Sequence, residues 1–275
     1  MSINKIKHVS ILVNDIHAAA SKIESVLGIS PEENSLKTIS IGQTISIPTK
    51  NANIQLISPS PGESDAAVLL STRGEGLYDI CMATDDLESL QKHIESSGAK
   101  SSIHENEIYN KKSILMEPAS TGGTRLSIIE ESETPLDPNI EVSLHHVTLR
   151  TENMKKDLEL WSNLFRMRVK RTAISESYEM DTGWLDTQNS EVEFAEQLNS
   201  TGPVAKAIKI FGSGLHAIVI ENNDSSVIAK RAEDRNVRVI VDNGDPVLTA
   251  LHPLDFVGTL VLLTDENAKH AGETK

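Results

Sequence analysis

The chain is predicted to be an α+β protein built from four βαβββ modules arranged as two tandem domains. Three observations point there. A gapless internal repeat runs at a shift of 138 residues, about half of the 275-residue length. A weaker repeat at a shift of 71 divides the first half again. Each repeat has the same order of signals: a short alternating strand, an acidic turn, an amphipathic stretch and then β-type runs.

The elements follow in that order. Residues 8–29, HVSILVNDIHAAASKIESVLGI, fall on residues 146–167, HVTLRTENMKKDLELWSNLFRM. His8 lands on His146, Ser10 on Thr148 and Val26 on Leu164, and the same shift carries Gln55 onto Glu193 and Asp86 onto Asp224. At the shorter shift, DICMATDDLESLQKHIESSGA (79–99) follows residues 8–28, with Asp79 on His8 and Asp86 on Asp15. Asp15 and Asp86 suit helix N-caps, because a carboxylate accepts the unpaired N–H groups of a first turn. Leu87, Leu90 and Ile94 form one apolar stripe at helical spacing. LKTISI, QTISIP and NANIQLIS read as strands after the first helix, and KSILMEP and GTRLSIIE as strands after the second. The expected domains are 1–131 and 143–267, joined by a linker over 132–142 whose two prolines and acidic residues suit an exposed connector. Residues 268–275 are expected to be a disordered tail.

Forty acidic against 26 basic residues give a net charge of −14. That balance repels a phosphate backbone or an anionic membrane surface, so neither nucleic acid nor membrane is an expected partner. No apolar run approaches the ~20 residues needed to cross a bilayer. No secretory-signal pattern opens the chain, and a single cysteine, Cys81, excludes an internal disulfide and a Cys-based zinc site. A cytoplasmic protein is the expectation. Aromatics are 3% of residues, so the cores must rest on Ile, Leu, Val and Ala.

The duplicated βαβββ pattern resembles the vicinal oxygen chelate superfamily, which includes glyoxalase I, bleomycin-resistance proteins and extradiol dioxygenases. KHVSILVNDI, SVLGI, NIQLISP, RGEGLYDICMATDDL and EPASTGGTRLSIIE make the first copy similar to methylmalonyl-CoA epimerase. The resemblance implies cups formed by paired modules, with one residue from each of four strands meeting a divalent metal. In the first copy those positions are His8, Gln55, Asp79 and Ser127; in the second they are His146, Glu193, Ala217 and Leu262. His216 lies one residue from the family position. Alternation counted back from the following helix turns it away from the cup, whereas a bulge would bring it in as a second imidazole. The implied metal ligands are therefore His8, Gln55 and Asp79, or His146, Glu193 and His216, with Ser127, Arg73 and Trp184 as substrate-binding candidates.

What the resemblance implies for activity is a metal-assisted isomerase, epimerase or lyase acting on a small carboxylated or thioester substrate. Two other readings stay open: a metal-free small-molecule binder of the bleomycin-resistance type, and a ring-cleaving dioxygenase-like enzyme. A divalent metal ion is the only cofactor implied, with no organic cofactor, and edge strands of such modules can pair in a homodimer. The family's epimerases carry a catalytic Glu on the second or third strand, but LKTISIGQTISIP holds no acid, so that reaction does not carry over residue for residue.

Each residue also has a plainer reading. His8 and His146 fit hydrogen-bonded core groups, and Gln55 a buried amide. Asp79 is harder to place in a core, since a buried carboxylate needs a partner. Arg73 suits a solvated linker charge, Trp161 core packing, His252 a turn before the last strand, and His216 a side chain packed behind the sheet. STGG (120–123) lacks the helix and Lys of a phosphate loop and reads as a turn.

Overall fold

A computed structural model describes residues 2–131, 139–244, 246–266 and 268. The linker expected over 132–142 and the tail expected over 268–275 lie largely outside those residues.

The first module comprises β1 (Ile3–Leu12), α1 (Ile16–Leu27), β2 (Lys37–Ile39), β3 (Gly42–Pro48) and β4 (Asn53–Pro59). A helix that the sequence reading did not anticipate, α2 (Asp65–Arg73), leads into the second module. That module is β5 (Gly76–Thr84), α3 (Leu87–Ser96), β6 (Ser101–Asn106), β7 (Lys111–Met116) and β8 (Leu126–Glu130). The second half repeats the plan with β9 (Ser143–Arg150), α4 (Met154–Phe165), β10 (Arg168–Ser175), β11 (Met180–Asp186), β12 (Glu191–Gln197) and α5 (Pro203–Phe211). It closes with β13 (Gly214–Asn222), α6 (Ser225–Glu233), β14 (Val239–Asp242), β15 (Leu248–Leu251) and β16 (Leu260–Asp265). No helix among the described residues is long and apolar enough to cross a membrane.

The caps hold the repeat in place. Asp15 accepts from His17 N and Ala18 N, Asp86 from Ser89 N, Asn153 from Lys156 N and Asp224 from Ser226 N. α2 starts at a Ser64 cap and α5 at Pro203, and both end on glycines. They were missed because Ala66–Leu70 is too short a run to declare a helical period.

Each half forms one eight-stranded sheet, ordered β2-β3-β4-β1-β5-β8-β7-β6 and β10-β11-β12-β9-β13-β16-β15-β14. β1 and β5 are antiparallel neighbours at the centre of the first, as β9 and β13 are in the second, so two modules share each sheet. Strand alternation separates two faces. Val9, Ile11, Ile54, Leu56, Ile80 and Met82 join the helices in a single apolar core that continues into Val147, Leu149, Val192 and Phe194 of the second half. The opposite, concave faces carry His8, Ser10 and Gln55 in one sheet, and His146, Thr148 and Glu193 in the other.

The halves are joined tightly. Trp161 on α4 is fully buried, packs edge-on against Phe165 and Phe194, and donates Nε1–H to Thr121 O of the first half at 3.0 Å. Residues 120–123 form the turn into β8, and His252 Nδ1 accepts from Leu254 N in its own turn.

Candidate functional site

Register brings the expected positions together within each sheet. In the first half, Ser10 lies opposite Gln55 and Cys81 opposite Ser127 across parallel strand pairs. His8 and Asp79 each stand two residues earlier on the same faces. In the second half, Thr148 lies opposite Glu193 and Val219 opposite Leu262, which gives His146 and Ala217 the corresponding places.

A bulge sits at each central strand pair. Ile11 pairs with Leu77 and Val9 with Ile80, so Tyr78 and Asp79 share the space opposite Ser10. In the second half Leu149 pairs with Leu215 and Thr148 with Ala217, leaving His216 as the extra residue. Leu215 and Ile218 both belong to the apolar core, so His216 and Ala217 project together onto the concave face. The alternation that turned His216 outward is therefore corrected by the bulge. Its surroundings agree: burial lowers its pKa to about 4, assisted by Arg150 and opposed by Glu193.

Two small apolar clusters flank the first cup. Leu12, Ile57 and Ala66 cluster with Tyr78 and Leu70 at one end, and Cys81, Ala83 and Ile129 with Tyr109 at the other. Polar groups lie between. His8 is buried, stacks on Tyr109 at 5.6 Å and is bonded through Nδ1 to the Tyr109 hydroxyl at 2.8 Å. Its Nε2 sits 3.9 Å from Asp79 Oδ1, beyond hydrogen-bond reach. Burial, with Lys7 beside it, pushes the imidazole pKa down to about 3, so the ring is neutral. Burial raises the Asp79 carboxyl, offset in part by the nearby Ser10 hydroxyl and Arg125. Gln55 Nε2 donates to Thr44 Oγ1. Gln55 Oε1, Asp79 Oδ1 and Ser10 Oγ are buried without a hydrogen-bond partner.

The second cup is wired differently. Glu193 Oε2 accepts from Thr148 Oγ1 at 2.7 Å and lies 3.2 Å from His146 Nε2. Burial would raise this carboxyl, but His146, Thr148 and Arg171 outweigh it and hold the pKa below the ordinary range. His146 Nδ1 meets His145 Nδ1 at 2.7 Å. Glu191, on the same face, is paired with Lys170 and Arg171, while Glu196 faces the other way and caps α4 at Met154 N. Trp184 is buried with Arg171 Cζ 4.3 Å from its ring centroid, and its Nε1–H has no partner.

A divalent metal needs three or four converging donors. Among the described residues, no three His, Cys, Asp or Glu side chains are grouped to hold one. The first cup nonetheless offers an imidazole, a carboxylate and an amide oxygen, two of these atoms buried and unpartnered, and that chemistry fits a divalent cation. The second does not fit: although the bulge turns His216 to the same face as His146 and Glu193, these three are not grouped to hold an ion, Ala217 and Leu262 offer no donor, and Glu193 is already satisfied. Ser127 lies on the first cup's concave face beside Cys81. Arg73 is exposed at the end of α2, away from the donor set, though its charge reaches Arg150. Tyr109, Thr44, Thr148 and Arg150 were missed. Setting Arg150 against its repeat partner Leu12 would have exposed the last, because an apolar position has become charged.

Two sheets of paired βαβββ modules, each with polar groups on its concave face, define a tandem glyoxalase-type protein. The chain belongs to the Glyoxalase/Bleomycin resistance protein/Dioxygenase superfamily, whose family model matches residues 7–112 and 145–252. It is 27% identical over 130 residues to the mitochondrial methylmalonyl-CoA epimerase of Dictyostelium discoideum, covering 45% of this chain and 78% of that one. Among solved structures, a variant of 4-hydroxymandelate synthase from Streptomyces coelicolor superposes with a TM-score of 0.73 at 14% identity, over 98% of this chain and 95% of that one. The halotolerant catechol dioxygenase BphC gives 0.64 at 12% identity, over 96% and 87%. These likenesses establish the fold over nearly the whole chain.

Proposed function

We propose that His8, Gln55 and Asp79 hold a divalent cation in the first cup, and that the protein is a metal-assisted isomerase, epimerase or lyase for a small carboxylated or thioester substrate. One observation carries this reading: Gln55 Oε1 and Asp79 Oδ1 are buried acceptors with no donor, beside a neutral imidazole whose Nε2 is not hydrogen-bonded to them. An unpaired buried carboxylate is costly, and a cation offsets that cost. The bound cation would supply Lewis-acid stabilisation of an enolate-like oxyanion.

The chain's own groups do the rest. Tyr109 fixes the plane of His8 through Nδ1, and burial keeps the ring uncharged. Leu12, Ile57 and Ala66 give one end of the cup an apolar lining. β2 and β3 bring no carboxylate to the cup, so the proton acceptor of the family's epimerases has no counterpart at its usual place. Metal analysis of untagged full-length protein tests the reading. About one equivalent of a divalent ion, lost in Asp79→Asn, is expected; no stoichiometric ion in the unaltered protein overturns it.

A second reading, a metal-free small-molecule binder, is favoured by the second cup, where donors give way to Ala217 and Leu262.

A further inference from the structure

The two cups differ in the sign of what they leave unpaired. In the first, the unpartnered buried atoms are the acceptors Gln55 Oε1 and Asp79 Oδ1, with the Ser10 hydroxyl; in the second, once Glu191 Oε2 and Arg171 are set aside as ion-paired to each other, a donor, Trp184 Nε1, stands without a partner. Arg150 adds a cation. It ends β9 on the concave face and is only 9% exposed. Its Nε donates to Gly212 O at 2.6 Å and its guanidinium lies 5.7 Å from the Phe211 ring centroid. No carboxylate among the described residues forms an ion pair with it, although the chain carries 40 acids. The acids on this face are taken: Glu193 is held two and four residues back along the strand by Thr148 and His146, and Glu191 by Lys170 and Arg171. Arg73, from the first half, is a second cation whose field reaches Arg150.

A buried guanidinium without a counter-ion is unfavourable unless something else supplies the negative charge. At the equivalent place in the first half the residue is Leu12, packed with Ile57 and Tyr78; here the strand neighbours are Ala195 and Gly214, and the charge acts on His216. The repeat thus replaced an apolar plug by a cation, opposite the small residue Ala195. Ala217 and Leu262, which cannot bind metal, offer apolar surface between the polar groups.

We propose that the second cup is a metal-independent site for a small organic carboxylate, its anionic group on Arg150, a second acceptor oxygen on Trp184 Nε1 and its carbon body against Ala217 and Leu262. The guanidinium matches a carboxylate through paired N–H donors. The site does not depend on the first cup's metal, so the two ideas fail separately.

The experiment titrates the full-length chain with pyruvate, malonate, benzoate and inorganic phosphate by calorimetry and thermal shift, with EDTA present throughout. Saturable binding of at least one carboxylate is expected, weakened roughly tenfold or more in Arg150→Gln. Trp184→Phe, which keeps a ring and deletes the donor, should weaken it severalfold and guards against a fold defect in the first variant. Failure of all three carboxylates to bind, binding of phosphate alone, or equal affinities in the unaltered protein and both variants would each overturn the proposal.

Discussion

Asn51 and Asn189, separated by the repeat length, clasp each other's halves through equivalent hydrogen bonds. Asn51 Oδ1 accepts from Leu144 N at 2.8 Å and its Nδ2 donates to Leu144 O at 2.9 Å. Asn189 Oδ1 accepts from Ile6 N at 3.0 Å and its Nδ2 donates to Ile6 O at 2.8 Å. β4 pairs with β1 only from His8 onward, so Ile6 would otherwise present bare backbone groups there. Each amide acts as one rung of a ladder supplied by the other half. Replacing either by Ala should cost about 2–4 kcal/mol in chemical denaturation, since two bonds are lost and buried groups are left unpaired. Asn189 Nδ2 also donates to Asn51 O, so the double variant should fall short of the sum by about 0.5 kcal/mol or more. Strict additivity would contradict a shared clasp.

A second seam has no room for a side chain. Gly258, at φ +65°, would place a Cβ into Glu75 O, and Gly214, at φ +131°, would bring one to 2.6 Å from Gly123 O. The obstacles are backbone carbonyls of the opposite half and cannot rotate aside. Gly258→Ala should therefore destabilise the protein by about 2 kcal/mol or more, through strain and steric displacement together. An unchanged melting curve would show that the halves do not need this contact.

Tyr109 orients His8, and the hydroxyl can be tested apart from the ring. Tyr109→Phe keeps the stack on the imidazole but removes the partner of Nδ1. If His8 holds a cation, affinity for added Zn²⁺ or Co²⁺ should drop roughly 10–100-fold while the far-UV spectrum stays the same. Unaltered metal affinity would reduce Tyr109 to a filler.

His216 predicts an acid-side loss of stability. Its pKa is about 4 in the folded chain against an ordinary 6.5. Between these values the unfolded chain binds the proton and the folded one does not, so the share of stability owed to His216 falls as pH drops from about 6.5 to about 4 and levels off below. His8, lowered to about 3, adds a slope of its own that continues to lower pH. One such group contributes a slope of at most about 1.4 kcal/mol per pH unit. His216→Gln should flatten the denaturation midpoint against pH in this window. The slope owed to His8 remains in the variant, so the difference between the two profiles is the readout, and identical profiles would show that His216 does not carry this titration.

Architecture was legible because it was written twice. A 138-residue repeat, a capping acid before each amphipathic stretch and strand-length β runs are local signals, and they survive without knowledge of packing. The cup positions of His8, Gln55, Asp79, His146 and Glu193 were implied by the family resemblance, and the repeat supplied only the matching of His8 to His146 and of Gln55 to Glu193. His216 could not be placed by alternation, because a bulge inserts one residue and only the pairing partner reveals it. α2 and α5 escaped because helices of nine residues are stabilised mainly by docking against the sheet.

By itself, then, the chain determined its modules and their duplication, since those depend on order and spacing, while the residues at the cup positions were what the family resemblance implied. Tertiary structure alone decided which of those groups are already satisfied. Glu193 finds His146 and Thr148, whereas Gln55 Oε1, Asp79 Oδ1 and Trp184 Nε1 find no hydrogen-bond partner and Arg150 bonds a backbone carbonyl rather than a carboxylate. The reason is that hydrogen-bond satisfaction depends on distances of a few tenths of an ångström between strands far apart in sequence, and no periodicity encodes them.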